Sequence, residues 1–270
     1  MLIDAYAEDW LNRPRQRSSE LRDSQKIYLL VDGAFIPGLH RRLHEKQKAI
    51  LFESLPGCTE EARDASPFLT SAAFDDRNLT RALRYCNRWP MVSVIETTES
   101  LAQLADRLSA WCVVEAGNQK FNFRFSDTRR LPAIFEVLSR AQRTEMVGPA
   151  TAWSFIDRDG RWRHLETEAR DAAIATRPVL DERQFALLVN DSMADEMLML
   201  LVDQGMEVYR HPSRSHELLT IALRTARVAQ LQDESLLGWC AWFWNRDQLP
   251  DEPSAASILQ AWQKDFLKED

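Results

Sequence analysis

The chain changes its hydrophobic periodicity once, and that change bounds the folds open to it. Up to about residue 165 it is punctuated by apolar runs of strand length: Ile27–Val31 (IYLLV), Ala49–Phe52 (AILF), Met91–Ile95 (MVSVI), Cys112–Glu115, Trp153–Ile156 and Trp162–His164. The first three are continuously apolar rather than alternating, which predicts strands covered on both faces. From about residue 180 no such run recurs. Four helical segments follow, Asp181–Gln204, Ser215–Leu231, Glu234–Asn245 and Ser254–Lys268, with Gly205, Pro212 and Pro250 as breakers between or beside them. The pattern predicts an α/β (α+β) N-terminal lobe with a mixed sheet and flanking helices, followed by an all-α C-terminal lobe. Residues 1–25 read as a loosely ordered leader, 26–165 as the α/β lobe, 166–180 as a linker ending near Pro178, and 181–270 as the helical lobe.

Local grammar fills in the first lobe. Leu101, Leu104, Ala105, Leu108 and Trp111 share a helical face that Thr97 or Thr98 can cap, with Glu99 in the first turn. Gly117-Asn118 supports a turn into a strand over Lys120–Ser126, where Phe121, Phe123 and Phe125 alternate with Asn122, Arg124 and Ser126. Pro132 suits the first position of a helix. Ser139 and Gln142 form a capping-box pair for the next one, which Gly148-Pro149 ends. Asp159-Gly160 between two apolar runs predicts a hairpin, a better reading of Asp157–Gly160 than a calcium loop, since no glutamate follows in the required place.

The formal charge of −7 over 270 residues disfavours a nucleic-acid partner, because the molecule as a whole repels a phosphate backbone. The four cysteines, Cys58, Cys86, Cys112 and Cys240, are scattered without a C-x-x-C pair, so neither a zinc site nor a redox motif is expected. The N-terminal stretch lacks the basic start and apolar core of a signal peptide, and no segment has the length of a membrane span. Reduced thiols in the cytoplasm are the expectation.

Catalytic patterns are sparse. Asp32, Glu53 and Glu96 stand at strand ends, where carboxylates past parallel strands converge on a metal in hydrolases, and they define the alternative reading of a metal-dependent hydrolase. Asp32 is followed by Gly33, Ala34 and Phe35, which supply no second acid, so turn capping or pairing with Arg124, Arg129 or Arg130 is the expected role. His40 and His44 have the i, i+4 spacing of a metal pair, but Arg41 stands where a metalloprotease needs glutamate, and Arg42 and Lys46 mark a solvated basic face. No G-x-S-x-G elbow, phosphate loop or dinucleotide fingerprint is present. No cofactor, no metal site and no enzymatic activity are expected.

Two features carry more content. In Phe121–Leu131 (FNFRFSDTRRL) three phenylalanines on one face would bury about 2 kcal/mol each of transfer free energy. Arg124 then lies on the opposite face, where a buried guanidinium needs a partner, with Asp127 and the strand-end acids as candidates. Arg124, Asp127 and Arg129 are therefore expected as a structural charged node. In Trp239–Trp244 (WCAWFW), Trp239, Trp242 and Phe243 share a helical face while Trp244 points elsewhere. Trp239 and Phe243 read mainly as core. Four large rings in six positions are hard to bury on one helix, so Trp242 or Trp244 is expected as a partner-binding anchor, with Trp239 beside it.

The motif series YLLVDGAF from Tyr28, LFESLPG from Leu51, SPFL from Ser66, VSVIETTESLAQLADRLSAW from Val92 and FNFRFSDTRRL from Phe121 resembles the type VI secretion effector chaperone (adaptor) family, Tap/TEC-like. Phe123, Arg124, Phe125, Asp127 and Arg129 occupy its most specific pattern; Ser126 and Thr128 depart from the usual aromatic and proline. The resemblance covers residues 27–165. It implies a non-secreted helper that binds a toxic effector protein in the cytoplasm and helps load it onto the spike, VgrG or a PAAR-tipped effector, without cofactor or catalytic residue. A third reading is an immunity-type protein that neutralises a toxin.

Overall fold

Five of the six residues of the first strand, β1 (Lys26–Val31), are buried, because the strand is paired on both edges and covered on both faces. In the computed structural model, which describes residues 2–21, 24–172, 174, 177–231, 233–245 and 252–266, β1 lies inside a six-stranded sheet. Its partners are β2 (Lys48–Ile50), β3 (Phe68–Ser71), β4 (Val92–Thr97), β7 (Ala152–Ile156) and β8 (Trp162–Leu165), in the order β2-β3-β1-β4-β7-β8, every pairing antiparallel. A second sheet joins β5 (Val113–Ala116) to β6 (Gln119–Asn122) antiparallel and to β9 (Val179–Leu180) parallel, and so is mixed.

Alternation sorts the large sheet's side chains into two cores. Tyr28, Leu30, Leu69, Ile95, Trp153 and Phe155 pack with helices α4 (Leu101–Ala110), α5 (Leu131–Val137) and α6 (Arg140–Val147). Ile27, Leu29, Val31, Phe68, Val94 and Ile156 face the other way, toward α3 (Arg77–Arg84) and the chain's first residues. A short helix, α2 (Glu60–Asp64), precedes β3.

The leader is a built part of this second core, contrary to the expectation of loose order. Ile3 and Tyr6 are buried, the Ile3 amide donates to the Arg88 carbonyl at 2.9 Å, and helix α1 (Asn12–Glu20) follows. At the β7–β8 turn Gly160 has a positive φ of 72°, and a Cβ there would meet the Ala5 carbonyl oxygen at 2.1 Å. Only glycine fits against the leader. The polarity of residues 1–25 concealed two anchors.

Three further expectations change. Ser100, not Thr97 or Thr98, caps α4 in a capping box with Gln103, while Glu99 precedes the helix and is buried. The strand expected over Lys120–Ser126 ends at Asn122, where the chain turns so that Phe123 and Phe125 both enter the first core. Phe123 and Phe125 share the face that alternation gives them, and Phe121 packs against the same core. The described residues of 166–180 are tied to the first unit: Thr167 Oγ1 donates to the Thr151 carbonyl, Arg170 N to the Gly148 carbonyl, and β9 pairs with β5. The compact unit accordingly runs from Ile3 to Asp191.

The second unit is formed mainly from Ser192 onward. It contains the end of α7 (Glu182–Asp203), then α8 (Pro212–Val228), α9 (Asp233–Trp244) and α10 (Glu252–Phe266). Pro212 opens α8 rather than breaking it, as its missing N–H permits at a helix start. Leu201, Leu219, Ala222, Trp239, Phe243 and Leu259 fill the core. No helix among the described residues is long and apolar enough to cross a membrane.

Candidate functional site

Beyond β1 the chain turns at once, and Asp32 is the cause of the turn: its Oδ1 accepts the Ala34 amide at 3.0 Å. Its Oδ2 accepts from Arg124 Nη2 at 2.7 Å. Arg124 reaches Asp32 from the turn after β6, and also stands 3.9 Å from Asp127. Asp127 is in turn clasped by Arg129, Nε to Oδ1 at 3.0 Å and Nη2 to Oδ2 at 2.7 Å, with the Arg129 amide donating to Oδ1 at 3.1 Å. This fork-to-fork arrangement is the strong geometry for a guanidinium and a carboxylate. Arg124, Asp127 and Arg129 are thus one cluster, with Asp32 as its fourth member.

The two arginines differ. The Arg129 side chain is 4% exposed and the Arg124 side chain 40% exposed. Arg124 is not buried on a covered strand, because the chain has already left the sheet. Both guanidiniums lie over the ring of Phe35, at 5.0 and 5.7 Å from its centre, and Phe35 packs on Trp89 at 5.7 Å. Burial pushes the Asp32 carboxyl above its ordinary value, and Arg124 opposes that rise. Two buried acids and two arginines cancel in charge, so the node holds geometry while offering the half-exposed Arg124, Phe35 and Trp89 outward. Phe35 and Trp89 carry no sequence signal except proximity to Asp32 and to the aromatic-proline pair at Trp89-Pro90.

The three strand-end acids do not form one site. Asp32 pairs with Arg124, Glu53 with Arg63 at 3.1 Å, and Glu96 with Arg17 at 2.6 Å. The parallel sheet whose ends gather such acids is absent from β1–β4; the described parallel pair is β5 with β9. Among the described residues no group of three His, Cys, Asp or Glu side chains is placed to hold a metal. The histidine pair also separates. His40 is buried against Asp64 at 3.1 Å, not solvated, while His44 accepts the Lys46 amide through Nδ1.

In the helical unit Trp239 is fully buried and its indole N–H donates to the Ala222 carbonyl at 3.0 Å. Trp244 is half-buried and donates to Ser215 Oγ at 3.1 Å, which ties it to the unit's interior. Trp242 is 39% exposed and stacks on Trp239 at 5.7 Å. Of the three tryptophans it alone presents substantial ring surface.

The hairpin also brings together a serine and a histidine whose pairing its register dictates. On the predicted hairpin Ser154 and His164 are direct partners across β7 and β8, and Ser154 Oγ lies 2.8 Å from His164 Nδ1. The far nitrogen, Nε2, contacts Arg13. Ser154, His164 and Arg13 thus form one linked polar group at the edge of the hairpin.

The fold and node define a class: an α/β unit whose ionic cluster positions an arginine–aromatic surface, joined in sequence to a helical unit. Residues 27–145, which hold β2–β6, nearly all of β1 and the whole node, match the family model described as Domain of unknown function (DUF4123), a family associated with type VI secretion effector adaptors. No curated protein and no solved structure matches the chain.

Proposed function

We propose that this chain is a non-catalytic, Tap/TEC-like adaptor of type VI secretion that binds one effector in the cytoplasm and helps load it onto a VgrG or PAAR spike. The observation that carries the reading is the family match over residues 27–145, which contains every member of the node. The site's chemistry supports it. Aromatic and arginine side chains held in fixed positions are the residues that dominate protein–protein affinity. Arg124 with Phe35 and Trp89 supplies such a patch in the first unit, and Trp242 supplies a ring in the second.

The direct test is co-expression with the proteins encoded by the neighbouring genes, followed by affinity capture. Capture of an effector is expected, and Arg124→Glu should weaken it about tenfold or more, equivalent to about 1.4 kcal/mol or more. Capture of no neighbour, from cells in which all are soluble, would reject the adaptor role. Protection of a toxin-expressing cell without any gain in secretion would instead favour an immunity role.

A further inference from the structure

Helix α1 lies across the outer face of β4, β7 and β8, and a cavity of about 340 Å³ opens there. Three contacts seat the helix: Pro14 is buried, Arg17 forks onto Glu96 at 3.0 and 2.6 Å, and Trp162 Nε1 donates to the Trp10 carbonyl at 2.7 Å. The volume falls within the range of small-ligand sites, about 300–1,000 Å³. Val94, Ser154 and His164 form one cross-strand row along the floor, with Ala152 beside Glu96. The lining divides by chemistry. Val94, Ala152 and Trp162 offer an apolar surface, and Arg13, Ser154 and His164 gather polar groups at one end.

That polar end is rich in donors. Glu96, the acid in the lining, is occupied on both oxygens by Arg17. Arg13 touches the imidazole of His164, not a carboxylate. His164 Nδ1 lies 2.8 Å from Ser154 Oγ, so the ring and the hydroxyl face the cavity as a linked pair beside Arg13. Ser154 is 9% exposed and lines the cavity, and a serine hydroxyl can both donate and accept. A guanidinium and a hydroxyl donor converging beside an apolar wall match a carboxylate on an apolar body. Partial burial and the neighbouring Arg13 hold the His164 ring below its ordinary value, a state an anion at this place would relieve.

We infer that the cavity beneath α1 is a binding site for a carboxylate, its head on Arg13 and Ser154 and its apolar portion against Val94, Ala152 and Trp162. The shared chemistry fits a small free acid and the C-terminal residue of a polypeptide. The site is independent of the adaptor reading, and its test uses the purified full-length chain alone. The labelled protein is titrated with hexanoate, hexanamide, and a short peptide ending in leucine as free acid or as C-terminal amide, following the His164 ring and Trp162 indole resonances.

At least one acid should bind about tenfold or more tighter than its amide and raise the His164 titration midpoint. Arg13→Gln should weaken acid binding about tenfold. Ala152→Leu, which fills the floor and leaves Arg13 and Ser154 in place, should abolish it with the melting curve retained. Hexanoate binding assigns the site to a small acid; binding of the peptide acid alone assigns it to a chain terminus. Equal affinity for acids and amides overturns the inference, as does the absence of any shift with all four probes at millimolar concentration.

Discussion

In the Ile3–Asp191 unit carboxylate–guanidinium pairs lie in the interior: Asp127 with Arg129, Glu99 with Arg107 at 2.8 Å, and Asp32 with the inner end of Arg124. The hydrophobic core of the helical unit is dominated by rings, with Trp239 packed on Phe243 at 4.9 Å and on Trp262 at 5.6 Å, and Asp195 is buried in the same unit. The contrast follows from what each unit must hold. Helices supply their own backbone partners and need only an apolar seam. The first unit must fix irregular turns after β1 and β6, and fork-geometry ion pairs do this where no strand or helix can. The two interiors thus respond to different insults.

The largest effect expected from this difference lies at the buried fork. Removing one member of a buried pair leaves the other charge uncompensated, a loss of about 3–5 kcal/mol. Arg129→Ala should therefore destabilise the chain by that amount, and chemical denaturation followed by tryptophan fluorescence measures it. Trp239→Ala in the helical unit should cost about the same, through a cavity rather than a charge. Bulk-retaining variants separate the two mechanisms. Trp239→Phe should recover a large part of the Trp239→Ala loss by refilling the cavity, whereas Arg129→Met should lose nearly as much as Arg129→Ala because the Asp127 carboxylate still lacks its partner. Equal recovery by both bulk-retaining variants would refute the division of roles.

Asp32 gives a smaller effect with a defined sign. Its folded value is raised, by burial first, against the opposing pull of Arg124. A group whose folded pKa exceeds its unfolded value contributes stability that is complete below the unfolded value and is lost as pH rises through the folded one. The wild-type stability relative to Asp32→Asn should therefore be greatest in acid and fall as pH rises past the ordinary carboxylate range. Urea midpoints for both proteins across that range test this, and a relative stability that instead grows with pH would mean that Arg124 outweighs burial.

How much of this was legible in the sequence depended on whether a local rule was left undisturbed. The four C-terminal helices, the Asp159-Gly160 hairpin and the Ser139–Gln142 capping box all followed from short-range patterns. Arg124, Asp127 and Arg129 were recognisable as a cluster because unpaired charges beside buried rings require partners. Their geometry was not, because it depends on where the chain leaves β6, and that is decided by the burial of Phe123 and Phe125 in a core assembled from distant segments. The leader was misread for the same reason: Ile3 meets Arg88, and Tyr6 meets Trp89, more than eighty residues away. Among the tryptophans, helical spacing identified the shared face of Trp239 and Trp242 but not the Trp244 bond to Ser215, which rests on the packing of α8 against α9.

Those tryptophans give the smallest expected stability change, and the one that most sharpens the contrast. Trp244→Phe removes the donor to Ser215 and keeps most of the ring, so a loss of about 1 kcal/mol is expected with no effect on partner capture. Trp242→Ala removes a ring that is 39% exposed, and the stability change should stay near about 0.5 kcal/mol, as for other surface positions. If Trp242 is an anchor for the effector, the same substitution should weaken capture by about 2 kcal/mol, roughly thirtyfold. The two variants therefore exchange ranks between a melting experiment and a binding experiment. A Trp242→Ala protein that melts early and binds normally would move this ring into the core with Trp239 and leave Arg124, Phe35 and Trp89 as the contact surface.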